Sequence, residues 1–132
     1  MKEGSVIFVD MAEKLSKISG LDSGKNLIDG YYKGERDISV KWEKCLFEAV
    51  RKGNSSQIKA LVELRPDIIL DELREESKSL LHVAVENGNI EAIKTLVRDM
   101  GINIEDKDDM GRTPIFYTSD KIGNRFTDYL TG

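Results

Sequence analysis

The chain is poor in the residues that commonly staple small proteins or do their chemistry: of 132 residues, one is cysteine, one histidine, one tryptophan and two proline. The lone Cys45 excludes an internal disulfide and fits a reducing compartment, reading as a small buried residue. One His and one Cys fall short of the four ligands of a structural zinc site. His82 has no nucleophile and oriented acid marked out beside it, as a triad requires. Neither a G-x-x-x-x-G-K-[ST] nor a G-x-G-x-x-G phosphate cradle is present. The run Asp106-Lys107-Asp108-Asp109-Met110-Gly111 starts like a calcium loop, but its fifth position is Met110 and its twelfth, Tyr117, is not the required bidentate Glu. No catalytic residue, cofactor or metal is therefore assigned.

Long apolar runs are also lacking. Val6-Ile7-Phe8-Val9 is too short for a signal-peptide core or a membrane span. A third of the residues are charged, yet the net charge is only −4, which points to neither a nucleic-acid footprint nor a disordered polyelectrolyte. Nucleic acid and membrane are thus excluded as expected partners, and the length fits one domain.

What the chain does have is a recurrence. Ser79-Leu80-Leu81-His82-Val83-Ala84 and Thr113-Pro114-Ile115-Phe116-Tyr117-Thr118 are two versions of one phrase, T-P-L-H-x-A, about 34 residues apart, a period typical of stacked repeats. Leu81, Val83, Ala84 and Val85 precede Gly88, and Ile90, Ala92, Ile93, Leu96 and Val97 follow it. Two short apolar-faced segments around a residue that tolerates positive φ predict a helix pair. Neither segment is long enough to persist alone, because isolated helices under about 12 residues are marginal in water. They must lean on similar neighbours.

These residues resemble an ankyrin repeat, with Gly101-Ile102-Asn103-Ile104 in the place of the family's G-A-D-V. Aligning Gly53 with Gly88 sets Leu46 on Leu81, Phe47 on His82, Ala49 on Ala84, Ile58 on Ile93 and Leu61 on Leu96. This gives a degenerate first repeat in which Lys44-Cys45 replaces the Thr-Pro step. The expected fold is all-α: an ankyrin-repeat solenoid of paired helices and projecting hairpin-like fingers, with repeats at about 41–74, 75–107 and 108–132. Pro114 suits a first helical turn. The closing Gly123 comes late and the last repeat, carrying Phe126, Tyr129 and Leu130, is irregular.

Residues 1–40 form a helical N-terminal extension. Asp10 and Glu13 have the spacing of a capping box, and Met11, Leu15 and Ile18 make one stripe ahead of Gly20. The extension is expected to cover the bare face of the first repeat, because terminal repeats need capping; a flexible arm is the competing reading. Ser39 reads as the N-cap of the next helix, Arg65-Pro66-Asp67 as the stop of the one after, and Ile68, Ile69 and Leu70 as anchors of the following connection.

The resemblance also implies a function: non-enzymatic protein binding through the concave face and the fingers. It places Glu75, Glu76 and Lys78 on one finger and Asp109, Met110 and Arg112 on the next. The helix positions before each turn add Arg51, Lys52, Glu86, Asn87, Asp120 and Lys121. The fingers are mostly acidic, so a partner with a basic surface is expected. The alternative is a targeting or regulatory part of a longer enzyme or effector; a third reading is a homodimer through an exposed terminal repeat. The resemblance suits a cytoplasmic protein and also an exported effector. In that family the His82 position hydrogen-bonds within its turn and to the neighbouring repeat.

Overall fold

Each helix here is short and is stopped by an identifiable residue. The computed structural model describes residues 11–118. They form α1 over residues 11–18, α2 at Gly24–Lys33, α3 at Ser39–Lys52, α4 at Ser55–Leu64, α5 at Leu80–Glu86 and α6 at Ile90–Lys94. A π-turn at Thr95–Asp99 continues α6, and a 3-10 turn at Pro114–Tyr117 opens the next unit. Among the described residues there is no strand, only an isolated antiparallel bridge between Glu75 and Lys78.

Gly53 ends α3 at φ 74°, where a non-glycine residue would be strained, and a Cβ there would lie 2.8 Å from Cγ of Asn89. Asn54 then caps α4 by accepting the Gln57 N–H at 3.1 Å. One repeat later Asn89 reaches backwards instead, donating to the backbone carbonyls of Val50 and Arg51 and tying α6 to the end of α3.

Helix α3 packs on α4 and α5, α5 packs on α6 and on the turn at Pro114–Tyr117, and α4 packs on α6 and its π-turn. The paired positions meet in one core: Leu46, Leu81, Phe47, His82, Ala49, Ala84, Ile58, Ile93, Leu61 and Leu96 are all buried. A fully buried aliphatic side chain of this size contributes about 1.5–3 kcal/mol, which is what lets such short helices persist. Trp42 joins the helices of the first unit, its Nε1 donating to the Leu61 carbonyl at 2.8 Å in a buried bond. Cys45 is buried as well, and burial pushes its thiol up to about 11.

The stretch ahead of α3 contributes to the same core through Leu15, Ile18, Leu21 and Leu27. Helix α1 runs beside α4, with the Lys17 carbonyl accepting from Gln57 Nε2 at 3.1 Å and Lys14 reaching Glu63 at 3.8 Å. The start of α2 is held to α3 by Glu48. Its carboxylate accepts the Asp22 and Ser23 amides at 2.7 and 2.9 Å and the Ser23 hydroxyl at 2.6 Å, and it pairs with Lys52 at 3.0 Å. Burial disfavours the Glu48 carboxylate, but these bonds outweigh it and hold the carboxyl at about 2.

Several sequence expectations need correction. Met11 is exposed and is not part of the buried stripe; Asp10, its proposed cap, lies outside the described residues. Ser39 is the first residue of α3, not its cap, because Asp37 accepts the Ser39 amide at 3.0 Å and the helix starts from Ile38. The first repeat has no opening turn at Lys44-Cys45: α3 runs through that point, so its first-helix segment is longer than α5. Ile69 is 60% exposed, and Leu73 is the buried anchor of that connection.

Candidate interaction surface

The first finger turns on Glu75-Glu76-Ser77-Lys78. Glu75 and Lys78 exchange both backbone hydrogen bonds at 3.0 Å, and the two residues between them adopt positive φ, 51° at Glu76 and 69° at Ser77. A two-residue turn with left-handed geometry at both centres favours Asn and Gly, and Glu and Ser are costly choices for it. The second finger, at 108–112, uses Gly111 at φ 76° for the same purpose. There Asp108 is 7% exposed. Its carboxylate accepts the Met110 and Arg112 amides at 3.0 and 2.8 Å, Nε of Arg112 at 3.0 Å and the Tyr117 hydroxyl. Burial works against its charge, but the bonds from Tyr117, Arg112 and Met110 outweigh it and hold the carboxyl well below the usual range. The run that resembles a calcium loop is thus closed on its own donors.

The fingers are joined to each other and to the helices. Asp71 accepts the Asn103 amide at 2.8 Å, and Arg74 pairs with Asp106 at 2.7 Å. His82 links two units: Ser79 Oγ lies 2.7 Å from its Nδ1, and its Nε2 lies 2.7 Å from the Arg112 carbonyl. A carbonyl can only accept, so Nε2 carries the proton and Nδ1 is left to accept from Ser79. The family-implied structural role of this histidine matches the geometry.

Of the twelve residues proposed from sequence, the described ones fall into two groups. Arg51 pairs with Glu75, Lys78 with Glu86 at 2.9 Å, Lys52 with Glu48, and Arg112 with Asp108. These charges are answered within the chain. Asn87 donates to the Val83 carbonyl at 2.8 Å at the end of α5. Glu76, Asp109 and Met110 are the exposed remainder, Met110 at 71%. Asp120 and Lys121, like the Gly123 turn, lie outside the described residues. The acidic character of the fingers therefore rests on Glu76 and Asp109, with Glu72 and Glu105 also exposed, and not on Glu75.

Sequence reasoning missed the aromatic edge of this surface. Lys78 lies 5.1 Å from the Tyr117 ring centre, and the Arg112 guanidinium lies 5.3 Å from Phe116 and 5.2 Å from Tyr117. Phe116 is 64% exposed and Ile115 43%. Their places in the repeated phrase correspond to Leu81 and His82, which are buried.

A family model described as ankyrin repeats, three copies, matches residues 24–130, a stretch that takes in α2 as well as the units read from sequence. Among curated proteins, mouse protein phosphatase 1 regulatory subunit 27 is 28% identical over 81 residues, which is 61% of this chain and 51% of that protein. The chain spans about half the length of that relative. No solved structure matches it significantly.

Proposed function

This chain belongs to the ankyrin-repeat family, and from that premise we propose that it is a non-enzymatic module that binds a partner protein along its fingers and first-helix ends. The observation that carries the reading is the division of charges on that surface. Most basic groups there are tied to carboxylates, whereas Glu76 and Asp109 stand exposed beside an exposed Met110. A partner with basic groups around an apolar anchor fits such a surface, since exposed charge sets approach and specificity while a few buried anchors supply affinity. The test is affinity capture with the intact chain and with Glu76→Lys/Asp109→Lys, which spares the Glu75 pair with Arg51. Partners should be lost from the variant at unchanged circular dichroism. Equal capture by both chains would remove the charge argument.

A second reading has its own support: the curated relative is named a regulatory subunit, and the chain spans half of it. On this reading the module targets or regulates an enzyme, as a separate subunit or as part of a longer effector. Purified protein phosphatase 1 titrated with the chain would show altered activity or a stable complex; neither result would remove a phosphatase from the candidates. A homodimer through an exposed terminal repeat is the remaining arrangement, and a mass by light scattering that stays monomeric with concentration would end it. A cytoplasmic location suits the buried, unpaired thiol of Cys45.

A further inference from the structure

Away from the fingers, at the seam between the N-terminal segment and the first repeat, a pocket of about 390 Å³ opens beside Arg36, Arg65 and Ser39, with Tyr31, Ile38 and Leu64 among its walls. Its charges are unevenly matched. Glu35, the one acid in the wall, is held by Lys41 at 2.7 and 2.9 Å. Asp37, nearby, uses Oδ1 to accept the Ser39 amide. Among the described residues neither arginine forms an ion pair, although the Asp37 carboxylate lies close enough to feel the Arg65 charge. Arg65 is half-buried, yet it makes one long bond, to the Ser39 hydroxyl at 3.4 Å, and sits 5.7 Å over the Trp42 ring. Tyr31 keeps a buried hydroxyl that lacks a hydrogen-bond partner. A guanidinium carries five N–H donors in a planar fork that matches a carboxylate or a phosphate, and here two arginines line one pocket of mixed polar and apolar walls with most of those donors uncommitted.

We propose that this pocket binds a small organic anion, a carboxylate or phosphate group borne on an apolar body, with Arg36 and Arg65 gripping the charge and Ile38, Leu64 and the Tyr31 ring receiving the body. The proposal does not depend on the finger surface. Because Arg65 lies over Trp42, the only tryptophan, the site carries its own reporter.

The experiment is titration of the full chain with benzoate and, separately, phenyl phosphate, following Trp42 emission against sodium chloride at equal ionic strength. At least one anion should give a saturating change with a dissociation constant of about 1 mM or tighter; whichever saturates at lower concentration names the preferred group. Arg36→Gln, at an exposed position, should weaken binding at least ten-fold with the melting temperature unchanged. Arg65→Lys, which keeps a cation over Trp42, should weaken it as well. No saturation with either anion, the same response to chloride, or binding that survives both substitutions would overturn the proposal.

Discussion

Residues 79–84 and 113–118 carry nearly the same phrase and end in different states. In the first, Ser79 accepts the His82 amide while the His82 ring turns back to the Ser79 amide, and α5 runs for seven residues with Leu81 and His82 fully buried. In the second, Phe116 stands where His82 does, Thr113 makes no side-chain cap, and the chain forms four residues of 3-10 turn with Ile115 and Phe116 exposed. A phenyl ring has no nitrogen with which to close the box or to reach the next unit. The phrase is thus permission to form a helix. The cap and the packing around it turn that permission into a stable element.

The sharpest way to break this comparison is a matched pair of truncations. Leu81→Ala should cost about 2–5 kcal/mol in urea unfolding, as buried leucines do, and Ile115→Ala under about 1 kcal/mol. Equal costs would mean that the second phrase is packed like the first. Next comes Glu48→Gln, which weakens the charge-assisted bonds to Asp22 and Ser23 and should cost about 2 kcal/mol. Its pH dependence has a definite sign. The folded carboxyl sits at about 2, below its ordinary value of about 4.5, so the stabilisation is complete above pH 4.5 and is lost as pH falls toward 2. Acid unfolding curves of the parent and Glu48→Gln should therefore converge at the acid end of that window. Curves that stay parallel throughout would show that Glu48 does not hold the segment.

His82→Phe, which writes the second phrase into the first, should remove about 2 kcal/mol by taking away the bonds to Ser79 and the Arg112 carbonyl. An unchanged urea midpoint would reduce the histidine to a space filler. A further effect has the opposite sign. Replacing Glu76-Ser77 by Asn-Gly suits the left-handed turn and should raise stability by about 1 kcal/mol, whereas the second finger already has Gly111 in that role. A drop in melting temperature would mean that the Glu76 and Ser77 side chains make contacts that matter more than backbone ease.

Much of this was legible. The spacing around Gly53 and Gly88 identified the core pairs, because apolar period and turn glycine are local properties. Pro66 marked the stop of α4 for the same reason. The interaction surface was legible only as a region. Which charges in it remain available depends on side chains far apart in sequence, as when Arg51 reaches Glu75 or Arg74 reaches Asp106. Nothing local distinguishes Glu75 from Glu76, yet one is paired and the other is exposed. Glu48 carried only the signal of an i,i+4 pair with Lys52, since its other partners lie about 25 residues earlier in the chain.

The sequence by itself determined the repeat, its register and the residues that must be buried, since a helix pair too short to stand alone dictates its own period and apolar face. Only the tertiary structure decided which carboxylates stay exposed, where the N-terminal helices rest, and that Arg36 and Arg65 line one pocket at that seam. Those outcomes depend on distances between units, and a side chain is answered or left open by whatever the stacking brings beside it.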